Sequence, residues 1–203
     1  MKCCFFLTEL DFLGHHILAQ GVEPQSSKCN KIINWPTPVS ATDVCSFLGL
    51  VQYIAIFLPK LTDCTVILTP LTTKAVHKDF PTWTDGHDLA FWSIKQLVCS
   101  TECFTVIDHV NLGNNEIFVT CDTSDWRTGA TLGFGPTWET ARPVAFDSAQ
   151  LSTAERSYPI YEKELLTIVH ALKKWQLDLM GSPIYIYTDH KTLINFGVQH
   201  DLS

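Results

Sequence analysis

The sequence predicts an α/β fold in the C-terminal half of the chain, preceded by a small and mostly helical region. Residues 117–121 form a short, continuous run of β-type residues, which is typical of a strand covered on both faces. Further strand patterns and the longest helical pattern follow: strands at 129–134 and 143–146, a helix at 158–179, a strand at 184–187 and a helix starting at 192–196. This order indicates a mixed sheet with a helix packed across it.

The N-terminal half carries helical patterns separated by turn residues. Residues 4–18 alternate loosely between apolar and polar side chains and turn at Gly14, which predicts a hairpin or the end of a sheet. Gly21 and Pro24 then break the pattern. Three helices are expected next: one capped by Ser26 or Ser27 and ending near Trp35, one starting after Ser40 or Thr42, and one capped by Asp85 and ending near Cys99. The turn-like residues 111–115 mark a domain boundary before the predicted sheet.

The composition is that of a chain with a folded core. The 203 residues are 46% hydrophobic, which is enough to bury a core. Their formal net charge of -7 argues against nucleic acid binding through overall positive charge, although a local basic strip is compatible with this net charge. The longest apolar run, 47–59, is shorter than the roughly 20 residues that a membrane span needs. Glu9 and Asp11 interrupt any N-terminal signal sequence. We therefore expect an intracellular protein without a membrane span, in a cytoplasmic particle or in the nucleus.

The eight cysteines have irregular spacings and form no C-x-x-C motif. Several of them lie inside apolar segments, as buried structural thiols commonly do. We therefore expect reduced, buried thiols rather than disulfides, and we find no pattern of zinc ligands.

Three acidic residues occupy positions that suit a metal site. Asp122 directly follows the strand at 117–121, Glu164 lies on the long helix, and Asp189 closely follows the strand at 184–187. Such side chains can converge on one edge of the sheet, and gathered carboxylates repel each other unless cations neutralise them. Oxygen ligands favour Mg²⁺ or Mn²⁺. Each acid alone also fits a turn former or a helix cap, and Asp125 and Glu162 are interpreted as ordinary solvated or capping groups.

Residues at these positions resemble a known family. Residues 119–125 (VTCDTSD), Tyr158 with 162–166 (EKELL), and 187–193 (YTDHKTL) resemble the three ribonuclease H motifs of the gypsy-type LTR retrotransposon polyprotein. Upstream, residues 11–15 (DFLGH) resemble its primer-grip hairpin. Its thumb and connection are matched by the following segments: 35–38, 46–50 and 68–71 for the thumb, and Trp83, Thr84, Phe91 and Lys95 for the connection. The resemblance covers nearly the whole chain in order.

The resemblance implies a reverse transcriptase fragment with four segments. Residues 1–24 correspond to the end of the palm, 25–75 to a thumb-like helical region, 76–113 to the connection, and 114–203 to a ribonuclease H-like domain. The implied fold is a ribonuclease H-like mixed sheet lacking its last strand. The remainder of the Pol polyprotein is an expected partner, and the oligomeric state stays open.

The resemblance also implies the site residues and their roles. Asp122 would bridge two Mg²⁺ or Mn²⁺ ions, while Glu164 and Asp189 would hold the second ion, for hydrolysis of RNA in an RNA–DNA hybrid. Leu13, Gly14 and His15 would contact nucleic acid as the primer grip.

Three departures from the family pattern limit the expected activity. The polymerase carboxylates and a fourth ribonuclease H carboxylate lie outside residues 1–203 in the family's order, so we expect no DNA synthesis and impaired cleavage from this chain alone. Residues 54–56 (IAI) replace arginines that many relatives carry, which weakens the expected phosphate grip of the thumb.

Two other interpretations stay open. Residues 122–124 could form the acidic loop of an aspartic protease, but no second matching loop follows. The chain could also be a domesticated or decayed retroelement fragment that acts as a non-catalytic interaction module.

Overall fold

The computed structural model describes residues 7–100 and 103–189. The chain divides into two compact units, with the division between Val106 and Ile107. This division lies a few residues before the predicted boundary at 111–115; the assignment of four family segments stays a prediction. No helix within the described residues is both long and apolar enough to cross a bilayer.

The first unit begins with a three-stranded antiparallel sheet in the order β1-β2-β3. Its strands are β1 (Glu9–Phe12), β2 (His15–Leu18) and β3 (Gly21–Pro24). The predicted hairpin is confirmed: Leu13 and Gly14, with φ of 48° and 78°, form the two-residue turn that joins β1 to β2. Positive φ at both turn positions matches the right-handed twist of the paired strands.

Strand β3 was not predicted, because Gly21 and Pro24 were interpreted as breakers. Gly21 has a φ of 151°, and a Cβ at this position would lie 1.8 Å from the carbonyl oxygen of Phe104. Only glycine therefore allows the backbone of Val22 to pair with that of Phe104 through two hydrogen bonds of 2.8 Å. The break in the pattern marks a close backbone approach rather than the end of the sheet.

The described residues of the first unit also form four helices and two short 3₁₀ turns. They are α1 (Ser26–Ile33), α2 (Ala41–Tyr53), Ala55–Phe57 (3₁₀), α3 (Thr62–Leu68), Thr69–Thr72 (3₁₀) and α4 (Asp85–Cys99). Ser40 caps α2 as expected, by accepting a hydrogen bond from the Asp43 amide. The other two predicted caps are wrong, because α1 has no side-chain cap and Thr84, one residue before Asp85, caps α4.

Aromatic side chains form the core of the first unit. The rings of Phe47 and Phe91 have centroids 4.7 Å apart, and those of Phe57 and Phe104 are 4.9 Å apart. One charged residue, Lys95, is buried among the described residues of this unit, and its ammonium group donates to the carbonyl oxygen of Trp35. In this core α2 therefore packs on α4, and the 3₁₀ turn Ala55–Phe57 packs on the segment at Phe104.

The second unit contains the predicted mixed sheet. Its strands are β4 (Glu116–Thr123), β5 (Arg127–Gly135), β6 (Arg142–Gln150) and β7 (Ile184–Tyr187), in the order β6-β5-β4-β7. Strand β4 pairs antiparallel with β5 and parallel with β7, which confirms the mixed topology. Ile117 and Val119 of β4 are fully buried, as expected for a central strand.

The helices of the second unit are α5 (Thr153–Arg156), α6 (Ile160–Lys174) and α7 (Gln176–Leu179). The predicted long helix is thus interrupted at Trp175, which is buried and leaves the helical conformation. The buried residues of α6 are Lys163, Glu164, Thr167 and Ala171, so polar as well as apolar side chains face the core from this helix. The predicted helix at 192–196 lies outside the described residues.

The expected burial of the cysteines holds for one position in the described chain. Cys121 of β4 is buried, whereas Cys45 and Cys99 are exposed and the remaining described cysteines are half-buried. The apolar neighbours of Cys45 and Cys99 in the sequence face the core from other positions on the same helices.

Candidate active site

Asp122 lies at the exposed end of the central strand β4. The neighbouring residues Cys121 and Thr123 are both directed to α6: Cys121 is buried close to Glu164, and the Thr123 hydroxyl hydrogen-bonds to that of Thr167. Because side chains alternate along a strand, Asp122 is directed to the opposite face of the sheet, and it is exposed. It can therefore reach solvent at the edge where α6 crosses the sheet.

Asp189 lies at the same edge as Asp122. Strands β4 and β7 run parallel, and Thr120 pairs with Tyr187 as the last pair of their register. Asp122 and Asp189 each follow that pair by two residues, and both are exposed. Corresponding positions of parallel neighbouring strands lie side by side, so the topology places both acids at the same end of the sheet.

Glu164 is the buried member of the three predicted acids. Its side chain lies on α6 with a residue exposure of 2%, and its Oε2 atom accepts a hydrogen bond of 3.1 Å from the hydroxyl of Thr188. Thr188 directly precedes Asp189, so this bond joins α6 to the end of β7. Burial raises the pKa of the Cys121 thiol to about 12, and the nearby charge of Glu164 contributes to the shift. Glu164 therefore has the residues next to Asp122 and Asp189 as neighbours.

One further contact holds the loop after β4 against α6. The ammonium group of Lys163, on a side chain only 7% exposed, pairs with the Asp125 carboxylate at 3.3 Å. Thr167 donates to the Lys163 carbonyl in addition to its contact with Thr123. Sequence reasoning missed Asp125 as an ion-pair partner. The available signal was that two of the matched motifs contain residues of opposite charge, Asp125 in the first and Lys163 in the second. Glu162, as expected, is exposed in the first turn of α6.

The donor chemistry of the three acids suits Mg²⁺ or Mn²⁺, since all three supply carboxylate oxygens. Within residues 7–100 and 103–189, however, no three His, Cys, Asp or Glu side chains lie close enough together to hold a metal ion. The structure thus brings the three segments to one edge of the sheet without gathering their carboxylates. A metal site formed by Asp122, Glu164 and Asp189 stays a prediction.

The residues predicted as a primer grip lie in the first unit. Leu13 and Gly14 form the exposed turn between β1 and β2, and the His15 ring stacks on Tyr53 with centroids 5.5 Å apart. Partial burial lowers the pKa of His15, and the nearby Lys28 charge lowers it further. Lys28 lies over the Tyr53 ring, with its Nζ atom 4.3 Å from the ring centroid. Contact of Leu13, Gly14 and His15 with nucleic acid stays a prediction.

Comparison with known proteins shows which class of protein has this fold and this arrangement of acidic segments. Residues 113–203 match the family described as "RNase H-like domain found in reverse transcriptase". The chain is also 32% identical over 195 residues, 95% of its length, to the Transposon Tf2-3 and Tf2-4 polyproteins of Schizosaccharomyces pombe. Nearly the whole chain is therefore similar to the reverse transcriptase and ribonuclease H region of gypsy-type LTR retrotransposon polyproteins. It spans 14% of the length of those two relatives.

Solved structures show the same fold. The foamy viral protease-reverse transcriptase in complex with dsDNA aligns with a TM-score of 0.75 and 22% identity, covering 95% of this chain and 39% of that chain. The same viral protein in complex with RNA/DNA hybrid aligns with a TM-score of 0.72, also at 22% identity, over 97% of this chain and 26% of that chain. At a sequence identity of 22%, the similarity to these solved structures shows a shared fold.

Proposed function

We propose that the second unit is a ribonuclease H that hydrolyses the RNA strand of RNA–DNA hybrids within a retrotransposon polyprotein. In this proposal Asp122, Glu164 and Asp189 hold the divalent ions. The observation that carries the proposal is the hydrogen bond from Thr188 to Glu164, because it joins the strand end before Asp189 to the helix that packs beside Cys121, the residue before Asp122. The hybrid-bound foamy viral relative supports the substrate class.

Each acid has a distinct environment, which suits distinct tasks. Divalent ions, when bound, supply an activated water and stabilise the leaving oxygen in phosphodiester cleavage. Glu164 is buried and oriented by Thr188, so it offers a preorganised oxygen that water screens little. Asp122 and Asp189 are exposed and accessible to a substrate. The Lys163–Asp125 pair fixes α6 against the β4–β5 loop and so keeps Glu164 in position.

Metal binding provides the most direct test. Isothermal titration of Mg²⁺ into the 203-residue chain should give a binding signal that Asp122→Asn reduces at least tenfold in affinity. Asp178→Asn serves as the matched control, because it makes the same substitution at an exposed acid on α7 of the same unit. If the wild type and Asp122→Asn titrate alike, the proposed site is wrong.

Cleavage of a labelled RNA strand in a hybrid tests the reaction itself. Consistent with the impaired cleavage expected from the sequence, we expect slow activity that requires Mg²⁺ or Mn²⁺ and disappears in Asp122→Asn, Glu164→Gln and Asp189→Asn, but not in Asp178→Asn. Cleavage that persists in chelator, or in all three variants, would contradict the assigned roles. A cellular ribonuclease H on the same substrate serves as the positive control.

A second candidate is a non-catalytic interaction module, and one surface favours it. Trp138 and Tyr187 are exposed and stacked with ring centroids 5.0 Å apart, beside the exposed Tyr185 on the face of the sheet away from α6. Exposed aromatic clusters commonly serve protein contacts. The metal titration separates the two candidates, because an interaction module has no need of the three acids.

A further inference from the structure

The loop between β4 and β5 presents an exposed aromatic ring covered by an arginine. Trp126 is 58% exposed, and the guanidinium carbon of Arg156 lies 4.9 Å from the centre of its ring. The backbone of the buried Leu151 holds both residues: its amide donates to the Trp126 carbonyl at 2.9 Å, and its carbonyl accepts from the Arg156 Nε at 3.0 Å. The pair is therefore fixed in place before any ligand binds.

The positive charge of this pair is available to a ligand. The two acids nearest to the pair in sequence are engaged elsewhere, because Asp125 pairs with Lys163 and the Glu155 carboxylate accepts from the Ser152 amide at 2.7 Å. The two terminal nitrogens of Arg156 have no hydrogen-bond partner among residues 7–100 and 103–189. Two donor groups of a guanidinium on an ordered side chain form a site that matches a phosphate.

The pair also lies next to the candidate active site. Trp126 lies on the loop that follows β4, four residues after Asp122, and the Asp125–Lys163 ion pair holds that loop against α6 at the residue before Glu164. We propose that Trp126 and Arg156 form a backbone-binding subsite for the nucleic acid substrate, in which Arg156 binds a phosphate and Trp126 packs against the adjoining sugar or base. This inference rests on the proposed function.

Both parts of the subsite bind features that every nucleotide has. A phosphate contact positions the duplex without reading its sequence, and an aromatic ring offers a surface to any base or sugar. In a chain with a net charge of -7, one fixed cation beside the reaction site supplies attraction where the substrate must approach. We therefore expect the subsite to contribute to affinity equally for hybrids of different sequence.

Hybrid binding without divalent ions tests the subsite separately from the chemistry. The full chain is titrated into a fluorescently labelled RNA–DNA hybrid in chelator, and anisotropy is measured at several salt concentrations. The salt slope is the slope of the logarithm of affinity against the logarithm of salt concentration. We expect Arg156→Gln to weaken binding about tenfold and to lower the magnitude of the salt slope by about one, as for the loss of one phosphate contact. Arg156→Lys should keep the salt slope, and Trp126→Leu should weaken binding without changing the salt slope.

Lys173→Gln is the matched control, since it removes the same charge from an exposed position roughly 13 Å along α6 from Glu164. It should leave the affinity within twofold. The proposal is wrong if Arg156→Gln and Lys173→Gln have equal affinities, if the wild type does not bind the hybrid, or if Arg156→Lys and Arg156→Gln share one salt slope. Thermal melts of each variant exclude unfolding as the cause. Because no metal is present, failure of the metal site leaves this result unaffected.

Discussion

The two units of the chain differ in what they bury. In the described residues of the first unit the core is aromatic and aliphatic, with Lys95 as its one buried charge. Up to residue 189, the second unit buries four polar or charged residues in or beside its sheet: Thr128, Lys163, Glu164 and Thr167. Buried polar groups destabilise a fold unless each finds a partner. The difference indicates that apolar packing stabilises the first unit, whereas the second unit buries polar groups close to its candidate site.

The two units also satisfy their buried charges differently. Lys95 donates to one backbone carbonyl and lies 4.4 Å from the centre of the Phe91 ring, and burial lowers its pKa. In the second unit, Lys163 reaches a carboxylate and Glu164 accepts from a hydroxyl, so that several elements depend on one another. A connected polar network specifies relative position more strictly than apolar packing does.

The largest effect is expected from the aromatic core of the first unit. Phe91→Ala removes a ring that is 1% exposed and packs on Phe47, and it should lower the free energy of unfolding by about 3–5 kcal/mol. Leu89→Ala on the same helix removes a side chain that is 70% exposed, so it should change stability by less than about 0.5 kcal/mol. Urea denaturation measures both. Similar losses for the two variants would contradict the packing role of this core.

A smaller effect is expected from the polar network of the second unit. Thr167→Val keeps the shape of the side chain but deprives the Thr123 hydroxyl of its partner, which should cost about 1–3 kcal/mol. Thr123→Val together with Thr167→Val should cost less than the sum of the single variants, because the hydroxyls act on each other. Thr140→Val, in an exposed turn of the same unit, is the control and should be nearly neutral. Additive single effects would show that the two hydroxyls are independent.

The smallest effect concerns the pH dependence of the hairpin in the first unit. The pKa of His16 is raised above 6.5, first by its hydrogen bond to Asp11, and the same contact lowers the pKa of Asp11 below 3.8. The contribution of His16 is therefore complete below pH 6.5 and is lost as the pH rises through the raised pKa. The contribution of Asp11 is complete above pH 3.8 and is lost as the pH falls through the lowered value. The pair should stabilise the hairpin most between these limits.

An NMR titration of the His16 ring measures this effect. In Asp11→Asn the pKa of His16 should fall toward its ordinary value, whereas Asp43→Asn, on α2 of the same unit, should leave it unchanged. An unchanged pKa of His16 in Asp11→Asn would show that the contact is not maintained in solution.

Much of the fold could be predicted from local patterns. The strands of the second unit are continuous β-type runs, and Ser40 precedes α2 with an ordinary cap, so both follow from neighbouring residues. Strand β3 could not be predicted, because its pairing depends on Phe104, which is distant in sequence. Helix α3 and the adjoining 3₁₀ turns were missed for a related reason: their segment has mixed patterning, and packing on α4 decides its conformation.

The candidate site was predictable in position but not in its supporting contacts. The chain order places Asp122, Glu164 and Asp189 where a strand, a helix and a neighbouring strand meet. Hydrophobic periodicity did not reveal that Lys163, Glu164 and Thr167 are buried, since it takes apolar residues as buried and polar residues as exposed. Lys163 and Thr167 are buried because each has a partner on or beside β4, and that pairing exists only after the sheet has formed.

The pairing of Val22 with Phe104 closes the helical segment of the first unit into a loop whose two ends are fastened to each other. Residues 73–79, at the far side of that loop, are largely exposed and contain no helix or strand. A protease nick there would yield two pieces that remain joined through Val22 and Phe104 and through the bond from Lys95 to Trp35. The unit is thus a natural candidate for reconstitution from two separately expressed halves.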